Sequence, residues 1–150
     1  MISQVKIKKY YDMAVYVGES FSKDPSTKVG ALLIKPGTMQ VLSMGYNGMP
    51  RGIDETIPAR WERPIKYSYI EHAERNAIYN ACRNGTSLEG SIMFVSTFPC
   101  VDCMRGIIQS GVVMLVTSNP SEDLKLRWNA SMTISKDMCA EAGIELVMLE

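Results

Sequence analysis

The sequence predicts an α/β fold, a three-layer α/β/α sandwich around one mixed five-stranded sheet whose second half is parallel. Two observations predict it. A pair of turn-linked apolar runs comes early in the chain, and from residue 72 onward helical patterns alternate with short strand-like runs. The 150 residues are 46% hydrophobic, enough for a core without disulfides, and show no repeat, low-complexity tract or linker. A single domain over 1–150 is therefore expected.

Tyr10, Met13, Ala14, Val17 and Phe21 recur at helical spacing, and Ser22-Lys23-Asp24-Pro25 should end that first helix. Val29 to Ile34 and Val41 to Tyr46 read as two strands joined by the turn Lys35-Pro36-Gly37-Thr38. From Gly48 to about Tyr69 no period holds. Three prolines, three arginines, Trp61, Tyr67 and Tyr69 suggest an ordered cover or interface there. His72 opens a helix with Ala73, Ala77, Ile78 and Ala81 inward, closed at Asn84-Gly85. Ile92 to Ser96 is a strand. Pro99-Cys100 begins a helix, with Pro99 in its first turn and Met104, Ile107 and Ile108 inward as far as Gly111. Val112 to Thr117 is a strand, Asn129 to Ala142 the last helix, and Ile144 to Leu149 the last strand. Arg127 and Trp128 fall in the loop before that helix. Cys82, Cys139, Met104 and Met138 read as core packing.

The chemistry-bearing residues are His72-Ala73-Glu74 and Pro99-Cys100-Val101-Asp102-Cys103. One His and two Cys fill three corners of a zinc tetrahedron and leave the fourth for water, as catalytic sites do. At a helix start His72 and Glu74 can share a site, which positions i and i+2 cannot do in mid-helix. Cys100 and Cys103 lie one turn apart, where the helix dipole favours thiolates. Glu74, beside the metal and not on it, suits a general base that passes the water proton to a substrate ring nitrogen and later delivers a proton to departing ammonia. Each half also has a plain reading: His beside Glu as an ordinary helix pair, and C-x-x-C as a redox pair or half of a four-Cys knuckle. Against the knuckle, His72 is the sole histidine and only four cysteines exist.

Formal charge is zero, sixteen basic against sixteen acidic side chains, so a large nucleic-acid partner is disfavoured. The first ten residues carry lysines but no apolar core of a signal, and no stretch approaches membrane-spanning length. Unpaired cysteines point to a reducing interior, and a cytoplasmic location is expected.

The order H-x-E…P-C-x-x-C is the signature of zinc nucleobase deaminases. With Lys28-Val29-Gly30-Ala31, Gly45-Tyr46-Asn47-Gly48, His72 to Ile78 and Thr97 to Cys103, the chain resembles the deoxycytidylate deaminases of the cytidine deaminase superfamily from about Asp24 to its C-terminus. The zinc motif marks the superfamily; the Asp24–Ala31 and Gly45–Gly48 segments mark the nucleotide branch. The resemblance implies a cytidine deaminase-like fold, one catalytic Zn2+ per chain on His72, Cys100 and Cys103, Glu74 as the catalytic residue, and deamination of dCMP to dUMP. It implies substrate contacts at Asn47, Ser26, Lys28, Ala31, Ala73, Thr97 and Arg127. Asn47 would meet the deoxyribose, and Ser26, Thr27, Lys28 or Arg127 the 5′-phosphate. It further implies a homohexamer activated by dCTP and inhibited by dTTP, with Mg2+ accompanying the triphosphate, at a site using Gly45, Tyr46, Asn47 and Gly48. Asn47-Gly48 alone would read as a tight turn.

Some relatives carry extra His and Cys in the segment matching 48–71, forming a second zinc site. This chain has only His72 and four cysteines, none in 48–71, so one zinc is expected. Rival readings are a deaminase of dCTP, cytidine or a riboflavin precursor, a tRNA adenosine or DNA cytosine deaminase, and a zinc-stabilised binding module. The last leaves Glu74 without a purpose.

Overall fold

A computed structural model describes residues 2–149. In chain order it contains α1 (Gln4–Phe21), β1 (Gly30–Lys35), β2 (Gln40–Tyr46), a 3-10 turn (Pro58–Trp61), α2 (Lys66–Tyr69), α3 (Ala73–Arg83), β3 (Ile92–Val95), α4 (Val101–Gln109), β4 (Met114–Ser118), α5 (Glu122–Glu141) and β5 (Glu145–Leu149). The sheet runs β2-β1-β3-β4-β5. β1 is antiparallel to both its neighbours, whereas β3, β4 and β5 are parallel. The expected mixed five-stranded sheet is thus present.

Period-two alternation along the strands divides the core into two layers. Leu32, Ile34, Ile92, Phe94 and Val116 face α1 through Ile7, Ala14 and Val17. Ala31, Leu33, Met93, Val95 and Leu115 face the other helices, meeting Ala73, Ala77 and Ala81 of α3, Met104 and Ile107 of α4, and Met132 and Cys139 of α5. The alanine stripe on α3 lets helix and sheet approach closely. Gly45 is part of that fit, because a Cβ there would lie 2.3 Å from the Ala77 amide nitrogen and 2.4 Å from the Ala73 carbonyl oxygen.

Several elements differ from the sequence reading. α1 begins at Gln4, capped by the Ser3 hydroxyl, which accepts from the Lys6 amide. Its buried positions are Ile7, Ala14, Val17 and Gly18, whereas Met13 and Phe21 are exposed. α5 begins at Glu122, seven residues before the expected Asn129, so Arg127 and Trp128 are helical and not in a loop. The signal was Ser121, whose hydroxyl accepts from Leu124, followed by the acidic first turn Glu122-Asp123. Cys100 is the N-cap of α4, which places Pro99 just before the helix. Cys82 is exposed, Cys139 is buried, and Met138 is only partly covered.

The segment after β2 is ordered by its own polar contacts. Trp61 Nε1 donates to the Glu55 carbonyl at 2.8 Å, and the Arg60 guanidinium lies 4.7 Å from the centroid of the Tyr69 ring. Its two ends are pinned together by a bridge in which Gly48 and Glu71 exchange backbone hydrogen bonds of 3.1 and 2.8 Å. That bridge delivers the chain to His72.

Candidate active site

His72 is the N-cap of α3, in extended backbone, and Cys100 is the N-cap of α4. The two helix starts point at one place. His72 Nδ1 lies 3.5 Å from Cys100 Sγ and 3.4 Å from Cys103 Sγ, and the three donor atoms all fall within 4.8 Å of one another. A tetrahedral zinc with Zn–N of about 2.0–2.1 Å and Zn–S of about 2.3 Å requires an N–S edge of about 3.6 Å, so the donor set fits that ion. The thiols couple to each other and to the imidazole. The hydrogen bond from Cys103, aided by His72, holds Cys100 down to about 4. The hydrogen bond to Cys100, together with burial, pushes Cys103 up.

Around this centre Arg75 reaches back one turn to Glu71 (Nε–Oε1 2.5 Å) and across to Asp102 at 3.8 Å, tying the start of α3 to that of α4. The same Glu71 oxygen accepts from the His72 amide at 3.0 Å. Glu74, in the first turn of α3, is buried, and burial pushes its carboxyl up from the ordinary carboxylate range. A carboxyl kept from water holds a proton more readily than a solvated one, which suits a group that must take and return it.

His72, Cys100 and Glu74 share a cavity of about 120 Å³ with Ala73, Thr97, Asn47 and Arg127. Three other residues expected to touch substrate do not line it. Ala31 is fully buried in β1 beneath α3, Lys28 is exposed outside the cavity, and Ser26 is engaged with Asp24 and Lys66. Of the four residues expected at an effector site, Tyr46, Asn47 and Gly48 line a second, open cavity of about 420 Å³ together with Trp61 and Arg51. Gly45 does not. It is the close-packing residue described above. Asn47 belongs to both cavities.

The sequence reading missed much of the outer wall. Asp24, Arg63, Lys66, Tyr67, Leu124 and Trp128 line the catalytic cavity, with Tyr67 of α2 edge-on to Trp128 of α5 at 6.0 Å. Lys66 is buried, its ammonium 2.7 Å from Asp24 Oδ2. A single lysine between Ile65 and Tyr67 carries no period to mark it, and α5 was begun too late to bring Trp128 in.

Fold and site together define a zinc-dependent hydrolytic deaminase. The family described as the cytidine and deoxycytidylate deaminase zinc-binding region matches residues 4–119, and the chain belongs to it. It is 41% identical over 142 residues to an "uncharacterized deaminase in luxG 3'region" of Aliivibrio fischeri, covering 95% of this chain and 92% of that one. It is 38% identical over 111 residues to the human deoxycytidylate deaminase, covering 69% of this chain but 60% of the human protein. Among solved structures, the dCMP deaminase of the cyanophage S-TIM5 in complex with dCMP and dUMP superposes with a TM-score of 0.79 at 25% identity, over 99% of this chain and 100% of that one. Among the described residues no helix is long and apolar enough to cross a membrane.

Proposed function

We propose that the chain hydrolyses dCMP to dUMP and ammonia, in the cytoplasm, supplying the uracil nucleotide from which thymidylate is made, and that 1–150 act as one catalytic domain. The observation that carries this reading is the buried Glu74 carboxyl in one cavity with His72 and Cys100, whose donor atoms lie within 4.8 Å of the Cys103 sulfur. His72 Nδ1 and the two sulfurs would hold zinc, which when bound supplies Lewis-acid activation of the attacking water. Glu74 takes one proton from the attacking water and passes it to the ring nitrogen next to the carbon under attack; it then takes the second proton from the hydroxyl now on that carbon and gives it to the amine as the C–N bond breaks. Ala73 and Thr97 border the pyrimidine. Asn47 faces the sugar, and the outer arginines Arg63 and Arg127 face the 5′-phosphate. The names of the human and phage relatives support the same substrate.

The reading extends to a homohexamer regulated by dCTP and dTTP with Mg2+, for which the second cavity beside Tyr46, Asn47 and Gly48 offers room. The test is a steady-state comparison of dCMP, dCTP, CMP and deoxycytidine, each with and without added dCTP or dTTP. Turnover of dCMP well above the others supports the substrate. Deoxycytidine used as well as dCMP moves the protein to a nucleoside deaminase, and simple competition by dTTP removes the regulatory part.

A further inference from the structure

Asp24, Asn47 and Lys66 come from three separate stretches of chain yet are all buried at the cavity wall, at 1%, 6% and 4% exposure. Nearly all of their hydrogen-bonding capacity is spent on one another and on the adjoining 26–29 segment. Asn47 Oδ1 accepts from the Val29 amide at 2.8 Å, and Asn47 Nδ2 donates to the Thr27 carbonyl at 2.7 Å and to Asp24 Oδ2 at 3.3 Å. Turning the Asn47 amide over would set its NH2 against an N–H and its oxygen against two acceptors, so one orientation is allowed. Both amide hydrogens are then used, and what remains is a single lone pair on Oδ1. A ligand group meeting this side chain must be a donor.

Lys66 is equally committed. Its three ammonium hydrogens face Asp24 Oδ1 at 2.8 Å, Asp24 Oδ2 at 2.7 Å and Ser26 Oγ at 2.8 Å. No donor is left for a phosphate, although the side chain lines the cavity. Arg63 makes no ion pair or side-chain hydrogen bond among the described residues, and Arg127 is held only by Asp123 one turn away in α5. Charge for a phosphate is thus at the arginines, and the lysine has a different task.

We propose that Lys66 is a positioning residue for sugar recognition: through Asp24 it locks the Asn47 amide with only an acceptor left for the ligand, which selects a free sugar hydroxyl. Lys66 keeps Asp24 an acceptor-only carboxylate. Burial alone would raise the Asp24 carboxyl, but the Lys66 ammonium and the amides of Ser26 and Thr27 outweigh burial and hold it below the ordinary range. A protonated Asp24 could donate to a reversed amide, and the lock would fail. On a deoxynucleoside 5′-monophosphate the one free sugar hydroxyl is the 3′-OH. The inference rests on the nucleotide reading above.

The test compares kcat and KM of the zinc-loaded protein on dCMP and on its 3′-deoxy analogue, 2′,3′-dideoxycytidine 5′-monophosphate. A site built to pair with a hydroxyl rejects the analogue lacking it, and the wild type should prefer dCMP at least about tenfold in kcat/KM. Lys66→Met should bring that preference to within about twofold of unity, mainly by raising KM for dCMP, with zinc content unchanged. Should Lys66→Met not fold, the doubly neutral Asp24→Asn, Lys66→Met variant carries the same expectation. A merely structural lysine would lower stability and turnover of both substrates and leave the ratio alone. An undiminished ratio in a folded variant, or a wild type indifferent to the 3′-OH, overturns the proposal while dCMP turnover by the wild type keeps the function. A wild type inactive on dCMP but active on another pyrimidine takes both down.

Discussion

At the inner end of the cavity, three donor atoms and one carboxylate come from two helix starts, each a run of a few residues: 72–74 on one, 100–103 on the other. At the outer end, Asp24, Asn47, Arg63, Lys66, Arg127 and Trp128 come from the stretch before β1, the end of β2, the irregular segment, α2 and the exposed first half of α5. The inner end places reacting atoms through local helix geometry, so its chemistry is tied to short spacings. The outer end places recognition groups through tertiary contacts, such as the Lys66–Asp24 pair across 42 residues of chain. Deaminases of different substrates can therefore share the first arrangement and vary the second.

The sharpest way to break the inner end is to remove a sulfur. Cys100→Ala or Cys103→Ala should abolish activity and stoichiometric zinc together, and loosen the two helix starts, because metal binding and local folding are linked. Metal analysis by inductively coupled plasma mass spectrometry alongside a melting curve checks both. A variant holding one tightly bound zinc per chain would remove that residue from the ligand set.

Glu74→Gln separates binding of the metal from movement of the proton. The amide keeps the volume of the side chain and cannot accept and return a proton, so kcat should fall by about two to four orders of magnitude with zinc retained. Turnover within a factor of ten of the wild type would mean that another group carries the proton.

The division between inner and outer ends also governs what the sequence made legible. The mixed sheet and the inner site could be read because period-two strands, alanine-faced helices and helices closed by glycine are local patterns. His72 and the C-x-x-C pair announce themselves by residue type and by rarity in this chain. The outer wall was not legible in the same way. Lys66 is an unremarkable lysine until Asp24 meets it, and Ser26 looked free for phosphate until its hydroxyl was seen between the two. The start of α5 was missed because Leu124, Leu126 and Trp128 do not form an inward stripe there: none of residues 122–130 is fully buried. Ser121 capping with Glu122-Asp123 was the available signal.

At the outer end the largest effect should come from the buried ion pair. Removing one partner leaves an uncompensated buried charge and is expected to cost about 3–5 kcal/mol, so Lys66→Ala should lower the denaturant midpoint more than Asp24→Asn combined with Lys66→Met. The pH dependence has a defined sign. Because the folded Asp24 carboxyl lies below its unfolded value, its contribution is complete above about pH 4 and is lost as the pH falls through the folded pKa. Denaturant unfolding between about pH 2 and 6 should show this acid-side loss in the wild type. In Lys66→Met it should be weakened or reversed, and identical pH profiles would mean that the pair does not ionise as the geometry requires.

The smallest effects belong to the arginines, and they sharpen the comparison most finely. Arg127 is already paired with Asp123 within α5 and must leave that partner to meet a phosphate, whereas Arg63 has no ion pair to break among the described residues. Both side chains are exposed, where a charge contact is worth about 0.2–1 kcal/mol, or up to about fivefold in affinity. Arg63→Ala should therefore raise KM for dCMP a few-fold and Arg127→Ala by less, each narrowing the preference for dCMP over deoxycytidine without altering the 3′-OH preference that Lys66 controls. Asp123→Ala frees Arg127 and should shift KM for dCMP slightly downward, most clearly at low salt. If Arg127→Ala proves the more damaging of the two, the Asp123 contact is not a competitor but a brace that holds Arg127 in place for the phosphate, and Asp123→Ala would then raise KM instead of lowering it.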